Sequence, residues 1–281
     1  MASTTDRIST FAASAGASLK SIVKILLTRR RGPGITAQQR LKPLIILGNG
    51  PSLRQTIDNH TPALLSHPTM AVNFAANTPE FFTLKPEFYV LADPHFTNTS
   101  DPNVASLISA INRADWPLTL LLPYGMNLPG LSNPRVTVMR FPAVGVEGAR
   151  SLRSFAIRRR LGMPRPRNVM VCAIMCGIWL GFTDIFITGA DHSWTRTLSV
   201  DSSNRVVTIQ PHYYKESESE EERVASVYTD IRLHQILESF SIAFRAYHDI
   251  ADFTSRNGIN VYNASPGSFI DAFPRRQLPE S

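Results

Sequence analysis

The residues best suited to chemistry form a short turn that follows the apolar residues 44–47. This 48–52 turn consists of Gly48, Asn49, Gly50, Pro51 and Ser52. Glycines at a strand-to-helix turn let a ligand approach the backbone, and the N–H groups of the helix that follows attract phosphate. The Asn49 side chain can both donate and accept hydrogen bonds, which suits a base or a ribose. The turn is therefore predicted to bind a nucleotide, although it matches neither the dinucleotide fingerprint nor a Walker loop.

Polar residues occupy the corresponding position after three further apolar runs. These residues are Asn73, Asp93 with His95, and Asp191 with His192. Ligands bind outside the carboxyl ends of parallel strands, so we expect these side chains to share one cleft with the 48–52 turn. A single Asn or Asp at a strand end commonly serves as a turn former or a helix cap. The prediction therefore depends on their recurrence at several strand ends.

Two of these pairs also suggest a metal site as an alternative. Asp93 with His95, and Asp191 with His192, have suitable ligand types if the two pairs meet in space. The sequence contains no Asp-x-Asp pattern. We therefore expect neither a metal nor another cofactor.

Candidate catalytic groups lie in the polar residues 195–222, which are predicted to form a small lid. His212 is the candidate general base, because only His has an unperturbed pKa near neutral. Tyr213 and Tyr214 can donate hydrogen bonds to phosphate. Outside the lid, Arg167 is a further candidate phosphate ligand, and the bases held in reserve are His95 and His192.

Apolar runs that alternate with helical stretches must position these groups. The alternation predicts an α/β fold with a Rossmann-like, mainly parallel sheet flanked by helices. Residues 169–180 are apolar all round, which predicts a helix buried at the centre. Cys172 and Cys176 lie in this run and are expected to be buried free thiols, which indicates a reducing compartment. A long helix is predicted near residues 223–256.

The basic charge of the chain is concentrated at its N-terminal end. Residues 1–43 carry eight basic residues and one acidic residue, whereas the remainder keeps 21 of the 29 basic and 21 of the 22 acidic residues. The body is therefore neutral, and a nucleic-acid-binding body would be expected to carry a basic face. We expect no nucleic-acid partner. The predicted division is a basic segment and linker at 1–40 and a Rossmann-like domain at 41–281.

The N-terminal segment has the spacing of an amphipathic helix. Its apolar residues recur at helical intervals, and they are Leu19, Ile22, Val23, Leu26 and Leu27. This stretch is expected to be too short and too charged to span a bilayer, and its charge pattern fits a signal peptide poorly. A basic amphipathic helix lying on anionic lipid fits better. The alternative is a helix packed on its own domain or on a second subunit.

Three blocks of the chain resemble the bacterial sialyltransferases of glycosyltransferase family 42, together with related motility-associated and lipopolysaccharide glycosyltransferases. The first block is the 48–52 turn after an apolar strand. The second is a buried helix and strand at 171–188 with the Gly-x-Asp turn Gly189-Ala190-Asp191, and the third is residues 260–273. The blocks occur in order across residues 44–275.

The resemblance implies inverting transfer of a nonulosonic acid from a cytidine-monophosphate (CMP)-activated donor, without a metal. It implies that Asn49 and Asn73 bind the nucleotide and that Asp191 lines the same cleft. In the lid it implies a catalytic His and phosphate-binding tyrosines, a region occupied here by His212, Tyr213 and Tyr214.

We therefore expect a glycosyltransferase of cell-surface polysaccharide or lipopolysaccharide synthesis. Its expected partners are a CMP-activated sugar, a glycan or glycolipid acceptor and an anionic membrane surface. The expected location is the cytoplasm, peripheral on the inner face of the cytoplasmic membrane. Two alternatives stay open, a magnesium-dependent pyrophosphokinase of the same superfamily and a non-catalytic membrane-bound partner in glycan assembly. The sequence does not determine the oligomeric state, and a homo-oligomer is one of the possibilities.

Overall fold

A computed structural model describes residues 4–28, 34–207, 213 and 231–280. In chain order its strands are β1 (Leu44–Leu47), β2 (Thr69–Val72), β3 (Phe88–Val90), β4 (Leu118–Pro123), β5 (Val136–Phe141), β6 (Asp184–Thr188), β7 (Ser199–Val200), β8 (Val206–Val207) and β9 (Asn260–Asn263). Within the described residues, seven of them form one parallel sheet in the order β5-β4-β3-β2-β1-β6-β9, and β7 and β8 form a separate hairpin. The predicted Rossmann-like α/β fold is confirmed.

Strand β1 lies where the strand order reverses direction. Its Ile46 pairs with Met70 of β2 on one side and with Ile187 of β6 on the other. The chain fills the sheet from β1 towards β5 and then crosses over to place β6 beside β1. Such a switch point opens a crevice at the carboxyl ends of the strands. The fold therefore places any ligand cleft at the ends of β1 and β6.

Helices cover both faces of the sheet. They are α1 (Thr4–Thr28), α2 (Ser52–Ser66), α3 (Pro79–Leu84), α4 (Pro102–Asn112), α5 (Arg150–Arg158), α6 (Val169–Leu180) and α7 (Leu233–Ser255). Two ion pairs join α5 to α7, and they are Arg150 with Asp252 and Arg153 with Asp249. Helix α7 matches the later part of the predicted long helix, while residues 223–230 lie outside the described ranges.

Helix α6 forms the centre of the core. Ten of its 12 residues are buried, and it packs against β1, β2, β3 and α7. Its cysteines, Cys172 and Cys176, are free and buried, as predicted. Burial raises the pKa of Cys172 to about 12, so this thiol stays uncharged at neutral pH. Because α6 is apolar on every side, its packed position holds its first turn rigidly against the sheet edge.

Helix α1 docks on the body through its serines rather than through its leucines. Ser18 Oγ accepts a hydrogen bond from the Ala149 N–H, and Ser21 Oγ accepts one from the Glu147 N–H, each at 2.9 Å. An added Cβ at Gly148 would collide with Ser18, so only glycine permits this close approach. The alternative of a helix packed on its own domain is thus realised on one face of α1.

The other face of α1 stays exposed. Leu19, Leu26 and Leu27 are 64%, 67% and 81% exposed. The stretch Phe11–Thr28 is long and apolar enough to cross a membrane by length and composition. The expectation of a stretch too short and too charged to span is therefore wrong, because the helix extends well before Leu19. A single stretch of this kind is weak support for a membrane span, because a signal sequence near an N-terminus can have the same length and apolar composition.

Candidate functional site

A cavity of about 560 Å³ opens at the carboxyl ends of β1, β2, β3 and β6, where the strand order reverses. Most of the predicted site residues line it, and they are Gly48, Asn49, Gly50, Pro51, Asn73, Asp93, Arg167, Asp191 and His192. The carboxyl ends of parallel strands meet at one edge of a sheet, which explains why the residues that follow β1, β2, β3 and β6 converge. These residues therefore line one cavity, and a role of any of them in binding stays a prediction.

The 48–52 turn packs tightly against the turn that follows β6. The Gly48 N–H donates to the Thr188 carbonyl at 2.8 Å, and the Gly50 N–H donates to the Gly189 carbonyl at 2.7 Å. A Cβ added at Gly48 would lie 2.5 Å from the Gly189 carbonyl oxygen, closer than real Cβ contacts occur. Both glycines therefore serve the contact between two turns of the protein.

The N-terminus of α2 is already occupied by a carboxylate of the protein. Asp191 Oδ2 accepts hydrogen bonds from the Ser52 hydroxyl at 2.8 Å and from the Ser52 N–H at 3.3 Å. A negative charge is stabilised at a helix N-terminus, and Asp191 supplies it here. The Ser52 N–H belongs to the group of helix N–H donors that the sequence predicts to bind phosphate, and it is bonded to Asp191 instead. A second anion here would be repelled by Asp191.

The N-terminus of α6 presents the opposite situation. Asn168 caps α6 by accepting a hydrogen bond from the Val171 N–H, yet its Nδ2 is buried without a partner among the described residues. The neighbouring Arg167 is exposed, lines the cavity and forms no ion pair with the described residues. Of the described residues that line the cavity, Arg167 alone carries a full positive charge at neutral pH. An anionic ligand is therefore favoured at this wall.

Asn49 also leaves a polar atom unsatisfied. Its Nδ2 donates to the Val72 carbonyl at 3.2 Å, while its Oδ1 is buried with no partner in the described part of the chain. Asn73 lines the cavity beside it, in a left-handed backbone conformation with φ of 49°. A buried polar atom without a hydrogen bond is costly. Asn49 Oδ1 therefore calls for a ligand that brings a hydrogen-bond donor.

His192 forms the inner wall with two aromatic residues. Its Nε2 lies 2.7 Å from the Tyr247 hydroxyl, and its ring lies 4.2 Å from the Trp194 ring between centroids. Burial lowers the pKa of His192 to about 3, so the imidazole is neutral at physiological pH. A group with so low a pKa is a poor proton acceptor, which weakens its candidacy as a reserve base.

Several predicted residues lie away from the cavity lining. Ser52 and His95 are not among the lining residues; His95 Nε2 contacts Asp101 at 2.9 Å, and the His95 N–H donates to Asp93, which does line the cavity. The Tyr213 hydroxyl contacts Thr78 Oγ1 at 2.9 Å, and Tyr213 is not among the residues that line the cavity. The remaining lid residues, His212 and Tyr214, lie outside the described residues. No group of three or more His, Cys, Asp or Glu suited to a metal occurs within the described ranges.

Sequence reasoning missed three residues that build the site. They are Asn168, Trp194 and Tyr247. Asn168 carried a usable signal, because Asn directly before an apolar helical run is a favoured N-cap. The signal of Tyr247 was weaker, since a tyrosine on the apolar face of a helix usually packs as a hydrophobic residue. When buried it still requires a partner for its hydroxyl.

Comparison with known proteins bears on the fold. No protein-family model matches the chain, and no curated protein matches it. Among solved structures, the chain is similar to the MAf glycosyltransferase from Magnetospirillum magneticum AMB-1, with a TM-score of 0.51 and 12% sequence identity. The similarity covers 94% of this chain and 38% of that one, so the chain spans well under half of its neighbour's length. At this identity the likeness shows a shared fold.

Proposed function

We propose that the chain is a glycosyltransferase that binds a nucleotide-activated sugar in the cavity at the β1–β6 switch point. The observation that carries the proposal is that two buried side-chain atoms, Asn49 Oδ1 and Asn168 Nδ2, have no partner among the described residues, and that both residues line one cavity together with Arg167. A nucleotide brings donors, acceptors and a negative charge to such a wall. The fold shared with a glycosyltransferase supports the same class of reaction.

The donor phosphate is assigned to the start of α6. Arg167 supplies a positive charge there, and the first turn of α6 supplies N–H groups and the positive end of its dipole. The N-terminus of α2 is the weaker candidate, because Asp191 already occupies it. Stabilising the leaving phosphate as the glycosidic bond breaks is the chemical task of this wall.

A CMP-linked nonulosonic acid is the proposed donor, and a glycan or glycolipid hydroxyl is the proposed acceptor. The support is the resemblance of three sequence blocks to the sialyltransferases of glycosyltransferase family 42. Catalysis is proposed to proceed by inversion and without a metal or other cofactor. Synthesis of a cell-surface polysaccharide or lipopolysaccharide is the corresponding biological role.

A thermal-shift panel with CMP, CDP, UDP, GDP and ATP, each with and without magnesium, tests the donor assignment. A ligand that binds only the native state at 100 times its Kd adds about 2.7 kcal/mol of stability. CMP is expected to give the largest shift, with or without magnesium. A shift with ATP that requires magnesium would instead support a pyrophosphokinase. No shift with any nucleotide would support a non-catalytic role in glycan assembly.

His212 is proposed as the general base that takes the proton of the acceptor hydroxyl. Its neighbour Tyr213 donates its N–H to the Asn49 carbonyl at 3.0 Å, next to the 48–52 turn that lines the cavity. Removing a positioned base lowers the rate by roughly 100- to 10,000-fold. His212→Ala is expected to do so while CMP binding stays near normal. A normal rate in His212→Ala beside an inactive His95→Ala or His192→Ala variant would move the base elsewhere.

Association with an anionic membrane through α1 is proposed as the setting of the reaction, on the inner face of the cytoplasmic membrane. The leucine face of α1 is exposed while its serine face holds the helix on the body. Lys20 and Lys24 are exposed beside the leucines, which suits contact with acidic headgroups.

Liposome sedimentation of the full chain tests the membrane proposal. The double variant Leu26→Ser/Leu27→Ser is expected to lose binding to anionic liposomes and to keep its thermal stability, because both residues are exposed. The matched control is Leu41→Ser/Leu65→Ser, which changes two exposed leucines outside α1 and is expected to sediment like the parent. Equal sedimentation of both double variants and the parent contradicts the proposal.

A further inference from the structure

Three side chains from three different elements form one continuous chain of hydrogen bonds along the inner wall of the cavity. The Tyr247 hydroxyl of α7 lies 2.9 Å from Asn168 Oδ1 at the start of α6. The same hydroxyl lies 2.7 Å from His192 Nε2, in the turn that follows β6. His192 is 9% exposed and Tyr247 is fully buried, so water does not compete for these contacts.

The direction of each hydrogen bond in this chain is fixed by the cap of α6. Asn168 Oδ1 accepts the Val171 N–H, which sets the orientation of the amide group. The Tyr247 hydroxyl must therefore donate its single proton to Asn168 Oδ1. Its oxygen is then left to accept, so His192 must donate from a protonated Nε2. A histidine that is protonated on Nε2 and neutral carries a bare lone pair on Nδ1.

The neutral form of His192 is enforced by its surroundings. Burial lowers the pKa of its imidazole to about 3, and no described acidic side chain pairs with the ring. The structure gives Nδ1 no hydrogen-bond partner among the described residues, while His192 lines the cavity. A lone pair on a cavity wall is satisfied by a ligand that brings an N–H or an O–H group.

We propose that His192 holds the nucleoside part of the ligand as an uncharged acceptor at Nδ1, and that Tyr247 and Asn168 are positioning residues that fix its tautomer. The proposal rests on the proposed function, because it takes a nucleotide as the occupant of the cavity. It explains why a histidine with a lowered pKa stands at this wall, since a protonated ring would offer no acceptor. Asn49, whose buried Oδ1 has no partner among the described residues, lines the same cavity.

Two isosteric substitutions separate the two nitrogens of the ring. In His192→Asn the amide oxygen takes the place of Nδ1, whereas in His192→Gln the amide group takes the place of Nε2. By calorimetry with CMP, His192→Gln is expected to weaken binding about 3- to 10-fold, the loss of one uncharged hydrogen bond. His192→Asn is expected to stay within about twofold of the parent. Equal affinities for both variants, or the reverse order, would overturn the proposal.

Folding must be checked separately, because His192 has a left-handed backbone with φ of 49°. Asn adopts this conformation more readily than Gln, so thermal unfolding of both variants is measured without ligand. Affinity is then compared only at temperatures where each variant is fully folded. UMP and 2′-deoxy-CMP as further ligands distinguish a base amino group from a ribose hydroxyl as the donor to Nδ1.

Nitrogen-15 NMR of the ligand-free protein reads the tautomer directly and does not depend on nucleotide binding. The parent is expected to show His192 protonated on Nε2 alone, and Tyr247→Phe is expected to show a mixture of the two tautomers. A proton on Nδ1 in the parent would overturn the inference. If the parent has the expected tautomer but binds no nucleotide, the proposed function fails. If CMP binds but the two His192 variants behave alike, only this inference fails.

Discussion

The two walls of the cavity treat their polar groups in opposite ways. On the α2 side, Asp191 bonds to Ser52, and the Gly189 carbonyl bonds to the Gly50 N–H, so the protein satisfies its own groups. On the α6 side, Arg167 has no ion pair and Asn168 keeps a buried Nδ2 unpartnered, within the part of the chain that the structure describes. Polar groups without a partner, rather than glycine content, therefore indicate which wall binds the ligand.

The largest expected loss of stability follows when the tight contact between the two turns is disturbed. In Gly48→Ala the new Cβ would lie 2.5 Å from the Gly189 carbonyl oxygen, and backbone atoms in turns that directly follow two central strands cannot move aside cheaply. Overpacking of this kind costs about 1–3 kcal/mol, occasionally more. Urea denaturation measures it.

The control for that substitution is Gly16→Ala in α1. A Cβ added at Gly16 meets no heavy atom within 4 Å, and alanine favours a helix over glycine. The control is expected to be neutral or stabilising. If Gly48→Ala unfolds at the same urea concentration as the parent, the glycine is not explained by packing and a ligand role regains support.

The sequence predicts the fold well because the governing signals are local. Residues 44–47 and 185–187 are short apolar runs, and α6 is apolar all round, so the parallel sheet and its buried helix follow from periodicity. The meeting of the strand ends then follows from the rule for parallel sheets. These predictions need no knowledge of distant contacts.

The sequence could not predict which wall bonds its polar groups internally and which leaves them unpartnered, because this depends on contacts between residues far apart in the chain. Ser52 and Asp191 are separated by 139 positions, and Tyr247 and His192 by 55. A glycine-rich turn has the same composition whether it faces a phosphate or another turn of the protein. Only the hydrogen bonds between Ser52 and Asp191 show that this turn faces another turn of the protein.

Arg167→Ala is expected to weaken CMP binding about 10- to 150-fold. The estimate follows from the loss of a hydrogen bond to a charged group, worth about 1.5–3 kcal/mol. Cytidine, which lacks the phosphate, is expected to bind the variant and the parent equally. Arg135→Ala is the matched control, since Arg135 is exposed and does not line the cavity. An equal loss of affinity for cytidine and for CMP would contradict the placement of the phosphate at this wall.

Ser52→Ala tests the α2 wall, where we expect a loss of stability rather than a loss of ligand affinity. It removes the hydroxyl that donates to Asp191 at 2.8 Å, and we expect a loss of about 1 kcal/mol in the free energy of unfolding. CMP affinity is expected to stay within about twofold, because the hydroxyl is engaged inside the protein. A strong loss of affinity with unchanged stability would show that Ser52 faces the ligand after all.

The smallest expected effect, and the one that joins the two walls, is that of Asn49→Ala. Asn49 belongs to the self-satisfied turn by position, yet its Oδ1 is unpartnered like the Nδ2 of Asn168. Removing the side chain loses the hydrogen bond to the Val72 carbonyl but also relieves the buried Oδ1, so stability is expected to change little. CMP affinity is expected to fall about 3- to 10-fold by calorimetry, the worth of one uncharged hydrogen bond. If affinity is unchanged and stability falls instead, Asn49 serves only to join β1 to β2, and ligand recognition belongs to the α6 wall alone.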